Sequence, residues 1–156
     1  MNIKKTRKVV DKLYSEKVME LYMCPQNVGR MKDADGEGTV DDPNNLNSLT
    51  IYIRVQFRII TDVSFVAIGG PASVATGSLI TILAKGKSID EAMTISEQDV
   101  LNYLDGFPEE ERLCANLGVS ALREAIENYA ITRGIFSCYI NYDVPSASKS
   151  YFLVKK

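Results

Sequence analysis

The sequence contains no histidine, and this absence excludes more chemistry than any other feature of its composition. Without imidazole, one chain cannot build a Ser-His-Asp or Cys-His catalytic set, or a metal site with imidazole ligands. The chain also lacks an excess of charge of either sign, because 18 basic and 20 acidic residues leave a formal charge of -2. We therefore expect no nucleic-acid partner.

Cysteine is scarce, and long apolar runs are missing. The three cysteines, Cys24, Cys114 and Cys138, form no C-x-x-C pair, so they predict free thiols in a reducing compartment and a cytoplasmic protein. The basic cluster at residues 4–8 is followed by no long apolar run, which predicts neither a signal peptide nor a membrane anchor. At 156 residues and 46% hydrophobic content, the chain is expected to form one core.

Apolar periodicity predicts a helix first and strands after it. Helical spacing begins at Val10 and ends at Pro25, and the apolar face of this helix comprises Val10, Leu13, Tyr14, Val18, Leu21 and Tyr22. A turn-rich stretch from residue 32 to 47 should hold a short strand. Strict alternation then predicts a strand with Leu49, Ile51, Ile53, Val55 and Phe57 on its buried face. A second strand follows through Ile60 and Ala67, which predicts a hairpin although the Asn-Gly or Asp-Gly turn signal is missing.

Helices dominate the second half of the chain. Pro71 suits the first position of a helix that ends near Gly86, and Ser88 and Ser96 are placed to start two short helices. A last helix ends near Gly134. This order predicts an α+β fold, a small antiparallel sheet with helices packed on one face, formed by residues 1–134. Residues 135–156 are expected to be a C-terminal extension, either a hairpin or a tail.

Several motifs stand in a characteristic order along the chain. They include Tyr14 to Glu20, Cys24 to Gly29, Asp33 to Gly38 and Cys114 to Leu117. In order and spacing, these pieces resemble the IscU/NifU family of iron-sulfur cluster assembly scaffolds over about residues 9 to 132. The resemblance implies the same α+β fold and a pocket for a two-iron cluster, held by three cysteines, an aspartate and often a histidine.

Most of that ligand set is replaced here. At the matching positions Asn45 stands for the first cysteine, Asn47 for the aspartate, Gly70 for the second cysteine and Leu113 for the histidine, and Cys114 alone is kept. Such clusters need anionic thiolates, normally four, and one thiolate with two amides does not replace them. We therefore expect no stable cofactor, with Cys114 the one candidate metal ligand. An iron-sulfur cluster or iron would be held only if two chains share ligands.

The family's chaperone-docking pattern, Leu-Pro-Pro-Val-Lys, also differs in this chain. Residues 107–111 read Phe-Pro-Glu-Glu-Glu, so the local charge changes from positive to negative, which disfavours docking of a specialised chaperone.

Two readings of Cys114 remain open at this point. By resemblance, it is the candidate sulfur acceptor, and a cysteine desulfurase is the candidate partner, because sulfur transfer needs only one reactive thiolate. Alternatively, Cys114 is a small buried core residue in an interaction module whose cluster pocket has been abandoned. Homo-oligomers are compatible with either reading. An enzyme is not expected, since no nucleophile has an evident general base in the sequence.

Overall fold

The computed structural model describes residues 13–134, in which five α-helices, three strands and one short 3-10 turn follow one another. In chain order the elements are α1 (Glu16–Met23), β1 (Gly36–Asp42), β2 (Asn47–Gln56), β3 (Ile59–Ile68), α2 (Pro71–Ala84), α3 (Ile89–Met93), α4 (Glu97–Tyr103), the 3-10 turn (Glu109–Glu111) and α5 (Leu113–Thr132).

The sheet has β2 at its centre, with β1 and β3 antiparallel to it on either side. Alternate residues of β2 point into the core, and Leu49, Ile51 and Ile53 are at most 1% exposed. Helix α5 packs on β1 and β2, while α2 packs on β2, β3 and α5. Helix α1 lies against α2. The predicted α+β fold, with helices on one face of a small antiparallel sheet, is confirmed.

Two glycines of β1 set how closely α5 approaches the sheet. A Cβ atom at Gly36 would collide with the backbone oxygen of Ala125, and one at Gly38 with the backbone oxygen of Ala121. Because the obstacle is helix backbone, it cannot move aside as a flexible side chain would. The strand and the helix are therefore in direct backbone contact, and larger side chains at either glycine would separate them.

The predicted starts of the helices in the second half are confirmed. Pro71 occupies the first position of α2. Ser88 and Ser96 each cap a helix, and each forms a complete capping box with the acidic residue three positions later. Local hydrogen bonding of these side chains to the backbone therefore determines where α3 and α4 begin.

The predicted first helix is not continuous, and part of its buried face was wrong; its residues before Leu13 lie outside the described part of the chain. Leu13 is helical, and the chain leaves the helix at Tyr14 and Ser15. Helix α1 begins at Glu16 with Ser15 as its N-cap, which accepts a hydrogen bond from Val18 N. Of the expected apolar face, Leu13 and Tyr22 are exposed, and Val10 lies outside the described residues. Periodicity identified the apolar side chains but could not show that a serine would interrupt the pattern.

Phe57 was predicted on the buried face of β2, and this too was wrong. The hairpin between β2 and β3 is confirmed, but Phe57 and Arg58 form its two-residue turn, and Phe57 is 98% exposed. Both turn residues have positive φ, 51° and 64°, as a type I′ turn requires. The chain thus makes this turn without the Asn or Gly residues that adopt such a conformation at low cost.

Replacing Phe57 by Asn is expected to stabilise the fold by about 1 kcal/mol, because Asn tolerates the left-handed conformation better and no buried contact is lost. Urea unfolding at neutral pH would measure this gain. Phe57→Ala is the matched control, since it removes the ring but keeps the backbone cost. Equal stability of Phe57→Asn and Phe57→Ala would show that turn strain is not limiting.

None of the helices between residues 13 and 134 is long and apolar enough to cross a membrane. The predicted extension, residues 135–156, lies outside the described part of the chain together with Cys138.

Candidate functional site

Three separate elements bring the predicted site positions to one end of the sheet. Asn47 is the first residue of β2, Gly70 is the N-cap of α2, and Cys114 is the second residue of α5. The tight β1–β2 loop and the Gly69-Gly70 turn determine the placement of the first two. The close contact of β1 with α5 then brings Cys114 towards them.

The thiol of Cys114 lies just beneath the surface between two polar side chains. Its Sγ is 3.5 Å from Ser73 Oγ, with which it shares a hydrogen bond, and 3.8 Å from Asn47 Nδ2, which donates to it. Only 3% of Cys114 is exposed. Both distances are long because sulfur is a large and weak hydrogen-bonding atom.

Burial raises the pKa of the Cys114 thiol above its ordinary value, and the negative charges of Glu111 and Asp42 raise it further. The hydrogen bond with Ser73 acts in the opposite direction but does not outweigh burial. The thiol is therefore protonated at neutral pH. Since the thiolate is the reactive and metal-binding form, Cys114 is held in its less reactive state.

Asn45 and Leu113 do not contribute groups to the pocket. The exposed Asn45 donates from Nδ2 to Asp42 Oδ2 at 2.8 Å, while Asn44 N donates to the other oxygen of Asp42 at 3.0 Å. These hydrogen bonds, led by that of Asn45, lower the pKa of the Asp42 carboxyl. Leu113 is 59% exposed beside the buried Cys114.

Gly70 still has room for a ligand side chain, although it carries none. A Cβ atom built at Gly70 meets nothing within 4 Å, and the residue has an ordinary extended conformation. Gly69 differs, because its φ is +150° and a Cβ there would be 2.5 Å from Asn47 Oδ1. A side chain at position 70 would therefore be unobstructed, whereas one at position 69 would not.

The donor set does not fit an iron-sulfur cluster. Around Cys114 the structure places an amide, a hydroxyl and a glycine, where a cluster requires several thiolates. Within residues 13–134, no three His, Cys, Asp or Glu side chains come together in a way that could hold a metal ion. Cys24 is a free, exposed thiol at the C-terminal end of α1.

Sequence reasoning missed four residues that surround Cys114. Ser73 follows Gly70 by one helical turn, a spacing that could have placed it beside the pocket. Asp42 lies in the stretch predicted to be turn-rich, Glu111 in the acidic segment 107–111, and Tyr14 on the predicted helical face and in the first family motif; none of them was assigned to the pocket. Tyr14 Oη donates to both carboxylate oxygens of Glu111, at 2.6 and 2.7 Å, across 97 residues of sequence, and no local pattern predicts such a contact.

Comparison with known proteins agrees with this architecture. The family described as NifU-like N terminal domain matches residues 13–134, which is most of the chain. The chain belongs to this family. Its relatives include the iron-sulfur cluster assembly scaffold protein IscU 1 of Archaeoglobus fulgidus, which is 44% identical over 117 residues, or 75% of this chain and 76% of the relative.

Two further relatives match a longer part of this NifU-like chain. IscU of Aquifex aeolicus, also named a cluster assembly scaffold protein, is 31% identical over 147 residues and covers 88% of this chain and 94% of its own. The nitrogen fixation protein NifU of Trichormus azollae is 33% identical over 130 residues, which are 78% of this chain but only 42% of that longer protein.

One solved structure shows the same fold. A protein of Fervidobacterium islandicum AW-1, described as an iron-sulfur cluster assembly scaffold for the SUF system, superimposes with a TM-score of 0.63 at 21% identity, covering 72% of this chain and 96% of that one. At this identity the likeness concerns the fold alone.

Proposed function

We propose that this NifU-like chain serves iron-sulfur cluster assembly through a protein partner, and that it does not hold a cluster by itself. The observation that carries the proposal is the content of the pocket: Cys114 is in place, but Asn47 and Gly70 stand where ligands would be needed. Relatives named as scaffolds support the assembly role. The preserved arrangement without the ligands supports a changed use of the pocket.

The surface around the pocket suits a protein partner. Three large apolar side chains are exposed there: Leu46 at 80%, Ile68 at 63% and Leu113 at 59%. Each is adjacent in sequence to a residue of the pocket or its turn. Exposed apolar side chains grouped around one site are typical of protein interaction surfaces. A cysteine desulfurase is the partner that we propose.

Cys114 is the proposed sulfur acceptor in that complex. Its thiol would lose a proton, and the thiolate would attack the outer sulfur of a persulfide on the partner. The new sulfur-sulfur bond forms at Cys114 while the bond in the donor persulfide breaks, and the partner leaves as a thiolate that can take up the proton. One sulfane sulfur changes carrier and no external oxidant is needed. The chain is thus an acceptor and not an enzyme, and we place it in the reducing cytoplasm.

A second function is favoured by the burial of the thiol. Cys114 is 3% exposed and its pKa is raised, as expected of a core residue in an interaction module with an abandoned pocket. That module would still bind a partner, or a second copy of itself, through the apolar surface.

Anaerobic incubation with iron and sulfide, with and without a cysteine desulfurase and its substrate, distinguishes these functions. We expect no cluster absorbance and an added mass of one sulfur on Cys114 that depends on the desulfurase. Cys114→Ser should abolish this mass, and Cys24→Ser, at an exposed thiol, is the matched control that should keep it. A stable cluster would contradict the proposal and indicate ligands shared between chains, whereas absence of both signals would favour the interaction module.

A further inference from the structure

We propose that Tyr14 and Glu111 form a latch that keeps the Cys114 thiol covered and must open before the thiol reacts. This inference rests on the proposed function, because the thiol under control is the proposed sulfur acceptor. The latch is defined by the hydrogen bonds from Tyr14 Oη to the two carboxylate oxygens of Glu111.

The first step of the argument is that the latch joins two distant parts of the chain next to the pocket. Tyr14 immediately precedes the N-cap of α1, and Glu111 ends the 3-10 turn that leads into α5. A second contact supports the same junction, since Ser15 Oγ donates to Leu104 O at 2.5 Å. The start of α1 is therefore fixed at two points to the segment that precedes Cys114.

The second step is that one latch residue, Glu111, acts on the thiol, and Tyr14 holds that residue in place. Glu111 is three residues before Cys114, and its negative charge raises the pKa of the thiol, as does that of Asp42 from β1. Tyr14 is half-buried with its hydroxyl on Glu111, and its own pKa is raised by partial burial first and by that hydrogen bond next. The latch thus holds a carboxylate near the thiol.

The third step concerns access. Cys114 is only 3% exposed, so an attacking thiolate cannot meet a donor sulfur without local movement. The hydrogen bonds of Ser73 and Asn47 are weak sulfur contacts, whereas Tyr14 donates to an ionised acceptor. Of these hydrogen bonds, that of the latch is the strongest, and it holds the 3-10 turn that leads directly into the start of α5, where Cys114 is the second residue. Opening the latch would expose the sulfur and let the Glu111 carboxylate move away from it.

Alkylation of the native chain and of two latch variants, Tyr14→Phe and Glu111→Gln, tests this inference. Iodoacetamide labelling of Cys114, followed by peptide mass spectrometry from pH 6.5 to 9, should proceed at least about threefold faster in both variants. For Glu111→Gln, which removes the charge, this factor corresponds to a thiol pKa lower by about one half. For Tyr14→Phe, which keeps the charge, it measures the gain in access alone. Glu110→Gln is the matched control, because Glu110 is an exposed carboxylate of the same turn.

Cys24 provides an internal reference within each sample, since this exposed thiol should label at one rate in all variants. Unchanged labelling of Cys114 in both latch variants would overturn the inference. So would equal acceleration in Glu110→Gln, or acceleration that only follows a loss of unfolding free energy in urea. Sulfur transfer from the desulfurase is measured separately. Faster alkylation without any persulfide would support the latch but refute the sulfur-accepting function.

Discussion

A variant carrying Asn45→Cys, Asn47→Asp and Gly70→Cys is expected to retain an iron-sulfur cluster after anaerobic reconstitution, whereas the native chain is expected to retain none. The three changes restore the residue types that the family resemblance implies at these positions. With Cys114 they supply three thiolates and one carboxylate, which is the kind of anionic donor set that such clusters require.

The structure shows the space and the contacts that each replaced side chain would have. Position 70 opens into free space, so a cysteine there meets no obstacle within 4 Å of its Cβ. Position 47 already contacts the sulfur of Cys114, at 3.8 Å from the amide nitrogen. Asn45 is exposed and tied only to Asp42, and a cysteine there would be free of that hydrogen bond.

Visible absorbance and iron content per chain after desalting would measure the gain. The same triple variant with Cys114→Ser is the control, and it should lose most of the bound iron. Gly70→Ala alone tests whether any side chain at this position disturbs the fold. A folded triple variant without a cluster would contradict the view that the replaced ligands are what the pocket lacks.

The stability of the chain is expected to fall as pH rises from about 4.5 to about 7, because of one buried carboxyl on α5. Glu127 is 7% exposed, and its Oε1 has no hydrogen-bond partner in the described part of the chain. Burial first, and then the charge of Glu124, raise its pKa from the ordinary value of 4.5 to about 7, although Arg123 acts in the opposite direction.

The direction follows from the two protonation equilibria. Below the ordinary pKa, folded and unfolded chains both carry the proton, and the contribution of Glu127 to stability is fully present. Between about pH 4.5 and 7, the carboxyl of the unfolded chain ionises while that of the folded chain keeps its proton, so stability falls. Above about pH 7 both are ionised, and the loss is complete. A rise from 4.5 to about 7 corresponds to a loss of about 3 kcal/mol.

Glu127→Gln should remove most of this loss and be more stable than the native chain at pH 8 by about 1 to 3 kcal/mol. Urea unfolding at pH 5, 6, 7 and 8 would measure the slope. Glu20→Gln is the control, because Glu20 is exposed on α1 and should leave the slope unchanged. A native chain whose stability does not decline over this range would contradict the prediction.

The fold was predictable wherever a pattern depends on neighbours along the chain. Strand alternation, the position of Pro71 and the capping residues Ser88 and Ser96 all act over a few residues, and the structure confirms each of them. Phe57 failed because the alternation continues one step beyond the last residue of the strand. Nothing in the composition of the turn marks that point, since Phe and Arg occupy positions that Asn and Gly usually fill.

The site was predictable only in part, for a similar reason. The family resemblance assigned Asn47, Gly70 and Cys114 to one pocket, and the structure brings these three residues together. It could not indicate that Asn45 would turn towards Asp42, or that Tyr14 would bond to Glu111 from the other end of the chain. Such contacts depend on how elements pack, and packing between distant segments leaves no periodic trace in the sequence.

The glycine contacts between β1 and α5 support the fold independently of the residues at the ligand positions, so the fold and the ligand residues can change separately in evolution. Gly36 and Gly38 fix the helix on the strand through backbone atoms, without help from any side chain of the pocket. Successive generations could therefore exchange the ligand residues one at a time, since no single exchange would remove the support of the fold. If the triple variant holds a cluster as expected, three substitutions on an unchanged frame would connect the two forms.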